Sequence, residues 1–474
     1  SPGNPQLGCR MLVPEPGRQG SPENSGRRRT AVARKFMVPR PQGPLFVTPG
    51  DLPVGFGLSL PGFMGFAVAV IMKSRLPALT RVLSVSMLLP VAPVLAGDFH
   101  ETLTDTSTNT WVEDFAIDSG VGKNGQVAWS VRKYTLRGGK QAGVDVVEVN
   151  NGKLRFTVVP TRGMNVHELY CGDVRLGWNS PVTELVNPLF INPADRGGLG
   201  WLDGFNEWMT RCGYEFAGHP GEDDEKMLTL HGKASNLPAS KVEVFLKDNR
   251  LHVRGRVEEK MFKFVNLEMI TDISTEIGST SVRFDDTLTN LGSNPQEFEI
   301  IYHANYGEPL LEKGSRFLAP VKTVTPFDER AVEELKDYQV YYAPTKGYGE
   351  TVYCMELNSG ADGRTTVMLQ NAAASRGVAM SYNVDSLPFF TLWKNTDVGE
   401  KGYVTGLEPG SGYPYNRSVE RERGRVKTIA AGKSRNFLVE VDVLTDAAAV
   451  KKTAARITGI QGGRKTKVNE EPEG

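Results

Sequence analysis

Lys241–Val257, KVEVFLKDNRLHVRGRV, decides the fold. Val242, Val244 and Leu246 alternate with Lys241, Glu243 and Phe245, and Leu251, Val253 and Val257 repeat the spacing after the turn at Lys247-Asp248-Asn249. A period of two places successive side chains on opposite faces of a pleated strand, so two such runs around a short Asp/Asn turn predict an antiparallel hairpin. The same pattern spreads in both directions. Lys153–Val159 (KLRFTVV) and Ser281–Leu288 (SVRFDDTL) read as strands, as do Phe298–Tyr302 (FEIIY) after the turn Gly292-Ser293-Asn294-Pro295 and Phe389–Trp393. Helical periodicity is confined to Asp328–Leu335 and Ala447–Ile457, and no internal repeat of fixed period is present. Short strands punctuated by Gly, Asn, Asp and Pro predict an all-β fold, a large antiparallel β-sandwich. It is expected to span 147–460, behind a polar lead-in at 97–146 and ahead of a disordered polar tail at 461–474.

The front of the chain has another character. Residues 1–71 begin with a Pro-, Gly- and Arg-rich stretch containing Arg27-Arg28-Arg29, and its composition cannot bury enough surface to offset the entropy of ordering. This region is expected to be disordered, or an over-extended reading frame with translation starting at Met64 or Met72. From Met72 the pattern becomes that of a secretory signal over 72–96. Lys73, Arg75 and Arg81 precede the apolar run Val82–Leu95, and Val94-Leu95-Ala96 offers a small-residue cleavage site. The expectation is a periplasmic or secreted protein with no stable membrane insertion after cleavage. A membrane anchor over the uncharged Leu52–Met72 is the alternative, weakened by its prolines and glycines.

The 55 basic and 55 acidic residues cancel, which argues against nucleic acid or an anionic surface as partner and for a small, neutral or mixed ligand. Cys9 falls in the front region, leaving Cys171, Cys212 and Cys354, an odd set at wide spacing that forms no disulfide framework. No Gly-x-Gly-x-x-Gly, Walker loop or Gly-x-Ser-x-Gly elbow is present, and the histidines and acidic run near His219 match no standard ligand spacing. No cofactor and no metal are expected.

Candidate chemistry lies in three separated segments. Gln296–Leu311, QEFEIIYHANYGEPLL, puts His303 after the apolar strand that ends at Tyr302. His231 stands between Leu230 and Gly232, again at a strand end, and Glu408 lies in the glycine-rich run Tyr403–Pro414, YVTGLEPGSGYP, which reads as a loop. Two imidazoles and a carboxylate can move protons near neutral pH. Arg162, Arg196 and Arg211 sit beside Gly or Cys, where a guanidinium fork could grip hydroxyls. Trp201, Trp208, Tyr306 and Trp393 offer aromatic faces. Each residue also has an ordinary structural reading: a core aromatic, a structural ion pair or a histidine bonded to a neighbouring loop.

Leu228–Ala239 (LTLHGKASNLPA), Tyr302–Leu311 (YHANYGEPLL) and Phe389–Pro414 (FFTLWKNTDVGEKGYVTGLEPGSGYP) together resemble the aldose 1-epimerase, or galactose mutarotase-like, superfamily. The resemblance covers roughly Val147–Ile457 and is strongest to a bacterial branch that also carries Thr210-Arg211-Cys212-Gly213-Tyr214. It implies a supersandwich fold and a small-molecule sugar as ligand. It further implies Glu408 as general base, His303 as general acid, and His231 with Arg211, or its rivals Arg162 and Arg196, on the sugar, where Trp393 could stack. The expected activity is interconversion of sugar anomers by ring opening. This requires His303 and Glu408 to converge on opposite sides of one cavity. The alternatives are a non-catalytic carbohydrate-binding sandwich and an isomerase, lyase or hydrolase acting on an oxidised sugar.

Overall fold

A computed structural model describes residues 99–120, 127–224 and 226–473. The expected disordered region 1–71, the signal at 72–96 and the alternative anchor all lie outside the described residues. The hairpin forms as its sequence predicts: Lys241–Lys247 pairs with Arg250–Met261 in a register that sets Lys247 opposite Arg250. The two-residue turn holds Asp248 at φ 49° and Asn249 at φ 61°, a left-handed conformation that these short polar residues tolerate best among the non-glycines.

Among the described residues ten strands form one sheet and fourteen form another, and every strand pairing but that of Val321–Pro326 with Lys467–Val468 is antiparallel. In the ten-stranded sheet buried and half-buried residues alternate through Arg250–Met261, Val265–Glu276 and Ser281–Asn290, so one face meets the core and the other meets solvent. The fourteen-stranded sheet differs at its centre. There Asn165–Cys171 (β1), Met209–Tyr214 (β2), Gln296–Tyr306 (β3), Phe389–Thr396 (β4) and Tyr403–Gly410 (β5) lie in the order β4-β5-β3-β2-β1. Every residue of β2 and β5 is buried, as is β3 from Phe298 onward. Strands buried on both faces need a cover on each. Phe298, Ile300, Tyr302, Ala304 and Tyr306 fill the space between the sheets. On the other side Cys212, Ile301 and Val404 pack under Trp178, Trp201, Phe205 and Leu230, side chains from a layer of loops.

The sandwich is more extensive than the 147–460 expected. Phe99–Asp105 pairs with Lys241–Lys247, while Phe115–Asp118 and Ser130–Thr135 continue the fourteen-stranded sheet, so the lead-in is part of the fold. These outlying strands read as polar because much of their surface stays half-buried or exposed. At the other end the helix Ala447–Gln461 packs Val450 and Ile457 on Met368, Ala379 and Leu444. The tail beyond it is ordered as far as Glu473, because Lys467–Val468 joins the sheet and Arg425 Nη1 donates to Glu473 Oε2 at 2.8 Å. Backbone pairing of this kind leaves no trace in composition. The other expected helix forms over Glu329–Glu333, capped by Asp328 accepting from the Ala331 N–H at 2.9 Å. Among the described residues no helix is long and apolar enough to cross a membrane.

Candidate active site

β3 does not end at Tyr302 but continues to Tyr306, placing His303 inside the strand, and Glu408 lies inside β5 rather than in a loop. Gly406, Pro409 and Gly410 read as loop residues, yet the neighbouring strands satisfy β5 on both sides. Pairing of Ala304 with Leu407 and of Asn305 with Gly406 sets His303 opposite Glu408 on adjacent strands. Strand alternation then turns both side chains towards the loop layer, away from Tyr302 and Leu407, which belong to the inter-sheet core. His303 Nε2 stands 3.3 Å from Glu408 Oε1. The two groups touch, instead of facing each other across a cavity as expected. Room for the carboxylate comes from Gly406, where a Cβ would collide with Glu408 Oε1.

His231 arrives from the loop layer. It sits in a left-handed turn at φ 58°, followed by Gly232 at φ 69°, and its Nδ1 lies 2.9 Å from the Ala217 carbonyl oxygen. Its ring centroid is 5.3 Å from that of His303 and 4.6 Å from that of Trp201, whose Nε1 donates to Ser235 Oγ at 2.7 Å. Phe205 and Trp393 complete the wall, with centroids 5.4 and 5.6 Å from the His303 ring. Trp393 is half-buried and donates through Nε1 to the exposed Glu350 at 2.8 Å, so the site reaches solvent along this edge.

Burial governs the electrostatics. It raises the Glu408 carboxyl well above its ordinary range, with the nearby charge of Glu350 adding to the shift. Burial also pushes His303 down to about 4, and burial together with the neighbouring His303 holds His231 well below its ordinary value. Burial therefore favours the uncharged form of all three groups, a carboxyl in contact with one imidazole and a second imidazole beside them.

The arginines fall elsewhere. Arg211 pairs across β2 and β3 with Tyr302, so alternation points it into the inter-sheet core. There its Nε and Nη2 bind Asp286, Nη2 also donates to Thr271 Oγ1 at 2.6 Å, and Nη1 donates to the Met164 carbonyl at 3.0 Å. Arg162 is equally occupied. It binds Glu207 and donates to the carbonyls of Val186 at 3.0 Å and Gly204 at 2.9 Å, which braces the run carrying Phe205. Neither is free to bind a ligand, and both expected roles are corrected on that ground. Arg196 is exposed at 195–198, a turn whose Gly198 carbonyl accepts from the Leu230 N–H. Among the described residues its guanidinium makes no hydrogen bond or ion pair. Trp208 and Tyr306 are wholly buried in the inter-sheet core, while Trp201 and Trp393 line the site. Sequence reasoning missed Phe205, Asn305 and Glu350. Asn305 was within reach, since it lies two residues after His303 and so shares its face.

The family described as "Domain of unknown function (DUF4432)" matches residues 141–443. A search of the curated proteins finds no match. Among solved structures, "a putative aldose 1-epimerase" from Klebsiella pneumoniae is 40% identical, with a TM-score of 0.77, covering 79% of this chain and 99% of its own. A galactose mutarotase-like protein from Clostridium acetobutylicum is 12% identical, covering 66% of this chain and 98% of its own at a TM-score of 0.46. A galactose 1-epimerase from Lactobacillus acidophilus is 10% identical, covering 66% and 98% at 0.43. The 40% match over nearly the whole of its partner and the family match over most of the sandwich agree with the motifs read from the sequence. The chain belongs to the DUF4432 family, within the aldose 1-epimerase (galactose mutarotase-like) superfamily.

Proposed function

We propose that the protein interconverts the anomers of a sugar by acid–base ring opening at His303 and Glu408. The contact between the two groups carries this reading. Ring opening needs one proton removed from the anomeric hydroxyl and one delivered to the ring oxygen, and both oxygens are bonded to the same carbon. An acid and a base 3.3 Å apart can reach two such neighbouring atoms together. The C1–O5 bond breaks, the free aldehyde forms, and rotation before reclosure gives the other anomer. Only protons move, and one positioned acid or base contributes about 10²- to 10⁴-fold in rate.

The surrounding groups suit an uncharged sugar. Trp201, Phe205 and Trp393 offer aromatic faces to a pyranose ring, and His231 can accept from a hydroxyl. Arg162 has no donor left for a phosphate or a carboxylate, and Arg211, bonded to Asp286, Thr271 and Met164, is fully buried in the inter-sheet core. A periplasmic or secreted location remains part of the proposal, on the sequence of Met72–Ala96. The test is exchange NMR of the α and β forms of several aldoses, with and without protein. Acceleration of at least one aldose supports the reading. Sugar binding with no acceleration of any would instead make the protein a carbohydrate-binding module.

A further inference from the structure

Among the described residues eleven large apolar side chains are exposed, and four of them meet at one end of the ten-stranded sheet. Met261, Phe262 and Phe264 belong to the tip of the hairpin made by Arg250–Met261 and Val265–Glu276, and Leu291 belongs to the next turn. They are 55%, 85%, 62% and 44% exposed. A groove runs between the two turns, with residues of 260–266 on one side and of 291–296 on the other. Single exposed apolar residues are ordinary, but a cluster marks a surface that something covers.

Backbone and side-chain bonds tie this end together. The buried Asn290 donates through Nδ2 to the carbonyls of Asn294 at 2.8 Å and Ile429 at 3.0 Å. The Leu291 N–H donates to the Asn266 carbonyl and the Gly432 N–H to that of Asn290, both at 2.9 Å. Three turns thereby form one platform. At the hairpin tip Lys263 is held at φ 71°, a conformation that glycine or asparagine takes with less strain. The turn instead carries a lysine between two phenylalanines, its Nζ 5.3 Å from the Phe262 ring centroid. The chain is neutral overall, yet these turns, KMFKFV (260–265), NLGSNPQ (290–296) and AAGKS (430–434), carry three lysines and no carboxylate. Lys260 pairs with Glu258, whereas Lys263 and Lys433 are exposed and form no ion pair among the described residues.

We propose that this end of the molecule docks on an anionic lipid surface, with Met261, Phe262, Phe264 and Leu291 entering the headgroup region and Lys263 and Lys433 beside the lipid phosphates. A fluid interface closes round a protruding turn, and lysines lay their stems along it while their heads stay in water, drawn there by the negative surface. A second copy meeting this face about a two-fold axis would set lysine against lysine. The segment before Phe99 enters the fold at the other end of the sheet. Phe99 lies opposite Leu246, beside the turn at Asp248-Asn249, and the strand from there to Met261 puts the tip about 35 Å away. β3 begins at Gln296 in the groove and carries His303 about 23 Å further on, so docking and the candidate active site share a strand without sharing a residue. Docking is independent of whether that site opens sugar rings.

The test is co-sedimentation of the full chain with vesicles of equal parts phosphatidylglycerol and phosphatidylcholine, and with vesicles of phosphatidylcholine alone. Binding to the mixed vesicles is expected, at least about fivefold weaker to the neutral ones, and weaker in high salt. The double variant Phe262→Ser, Phe264→Ser should bind the mixed vesicles at least about tenfold more weakly with its melting temperature retained, because both rings already face water in the free protein. Phe262→Trp gives a local reading: emission shifted to the blue on the mixed vesicles, and quenched by brominated phosphatidylcholine beyond the wild-type level. No binding to the mixed vesicles, equal binding to both kinds, wild-type binding by the double variant, or F262W protein quenched no more than wild type would each overturn the proposal. So would a dimer of the free protein that the double variant abolishes, which would give the face to a second copy. The F262W reading decides even if the double variant fails to fold.

Discussion

Tyr302 and His303 are neighbours in β3 that face opposite ways, and each meets a buried carboxylate. On the inner face Asp286 accepts from Arg211 and Thr271, and from the Tyr302 hydroxyl at 2.7 Å. Its charge is matched and its oxygens are occupied. On the outer face Glu408 meets one imidazole and aromatic walls, and among the described residues no arginine or lysine forms an ion pair with it. Burial is almost equal on the two sides, so burial does not tell them apart. What separates them is whether the oxygens are satisfied. The inner cluster occupies both oxygens of Asp286 and joins the two sheets, whereas Glu408 Oε1 has no hydrogen-bond partner among the described residues.

Four measurements test that contrast. Glu408→Gln should lower the rate of anomer exchange by about 10²- to 10⁴-fold while leaving the melting temperature unchanged or raised, since it removes an acid desolvated without a cation. Exchange NMR and calorimetry on one sample would read both, and a wild-type rate would strip the outer face of its proposed role. Asp286→Asn should do the opposite. Leaving the Arg211 charge buried and half-paired costs about 3–5 kcal/mol, seen as a lower urea midpoint, with exchange per folded molecule retained.

Acidity distinguishes the faces next. His303 sits at about 4 in the folded protein against 6.5 for an unhindered ring. Between those values the unfolded chain takes up a proton that the folded chain refuses, so stability falls as pH drops from 6.5 towards 4. The full loss is on the order of 3 kcal/mol. His303→Gln should remove this part of the acid sensitivity, and His231, shifted the same way, would account for some of what remains. Equal losses in variant and wild type, from urea curves at several pH values, would contradict the assignment. The smallest effect belongs to the wall: Trp393→Ala should raise KM about fivefold with kcat retained, the ratio that roughly 1 kcal/mol of stacking carries.

The fold was largely legible because its hairpins alternate cleanly, and Lys241–Val257 needed only period and turn chemistry. Legibility failed where a strand departs from alternation. β3 and β5 are buried on both faces, so their apolar residues run together, and Gly406 and Pro409 read as breaks in what is an unbroken strand. His303 was assigned to a strand end and Glu408 to a loop, whereas both lie inside strands. Arg211 shows the cost of reading residue type without parity. One position from Thr210, which register pairs with His303, it belongs to the other side of the sheet. Phe205 and Glu350 come from loops whose path is set by tertiary contacts, and no local pattern announces them.

Gly406 also bears on how relatives of this chain are judged. The carboxylate of Glu408 occupies the volume that a side chain at 406 would fill. A lineage that acquired even an alanine there would evict the acid from its seat while still spelling glutamate two positions later. For a carboxylate to stand where Glu408 stands here, the absent methyl therefore counts as much as the acidic letter.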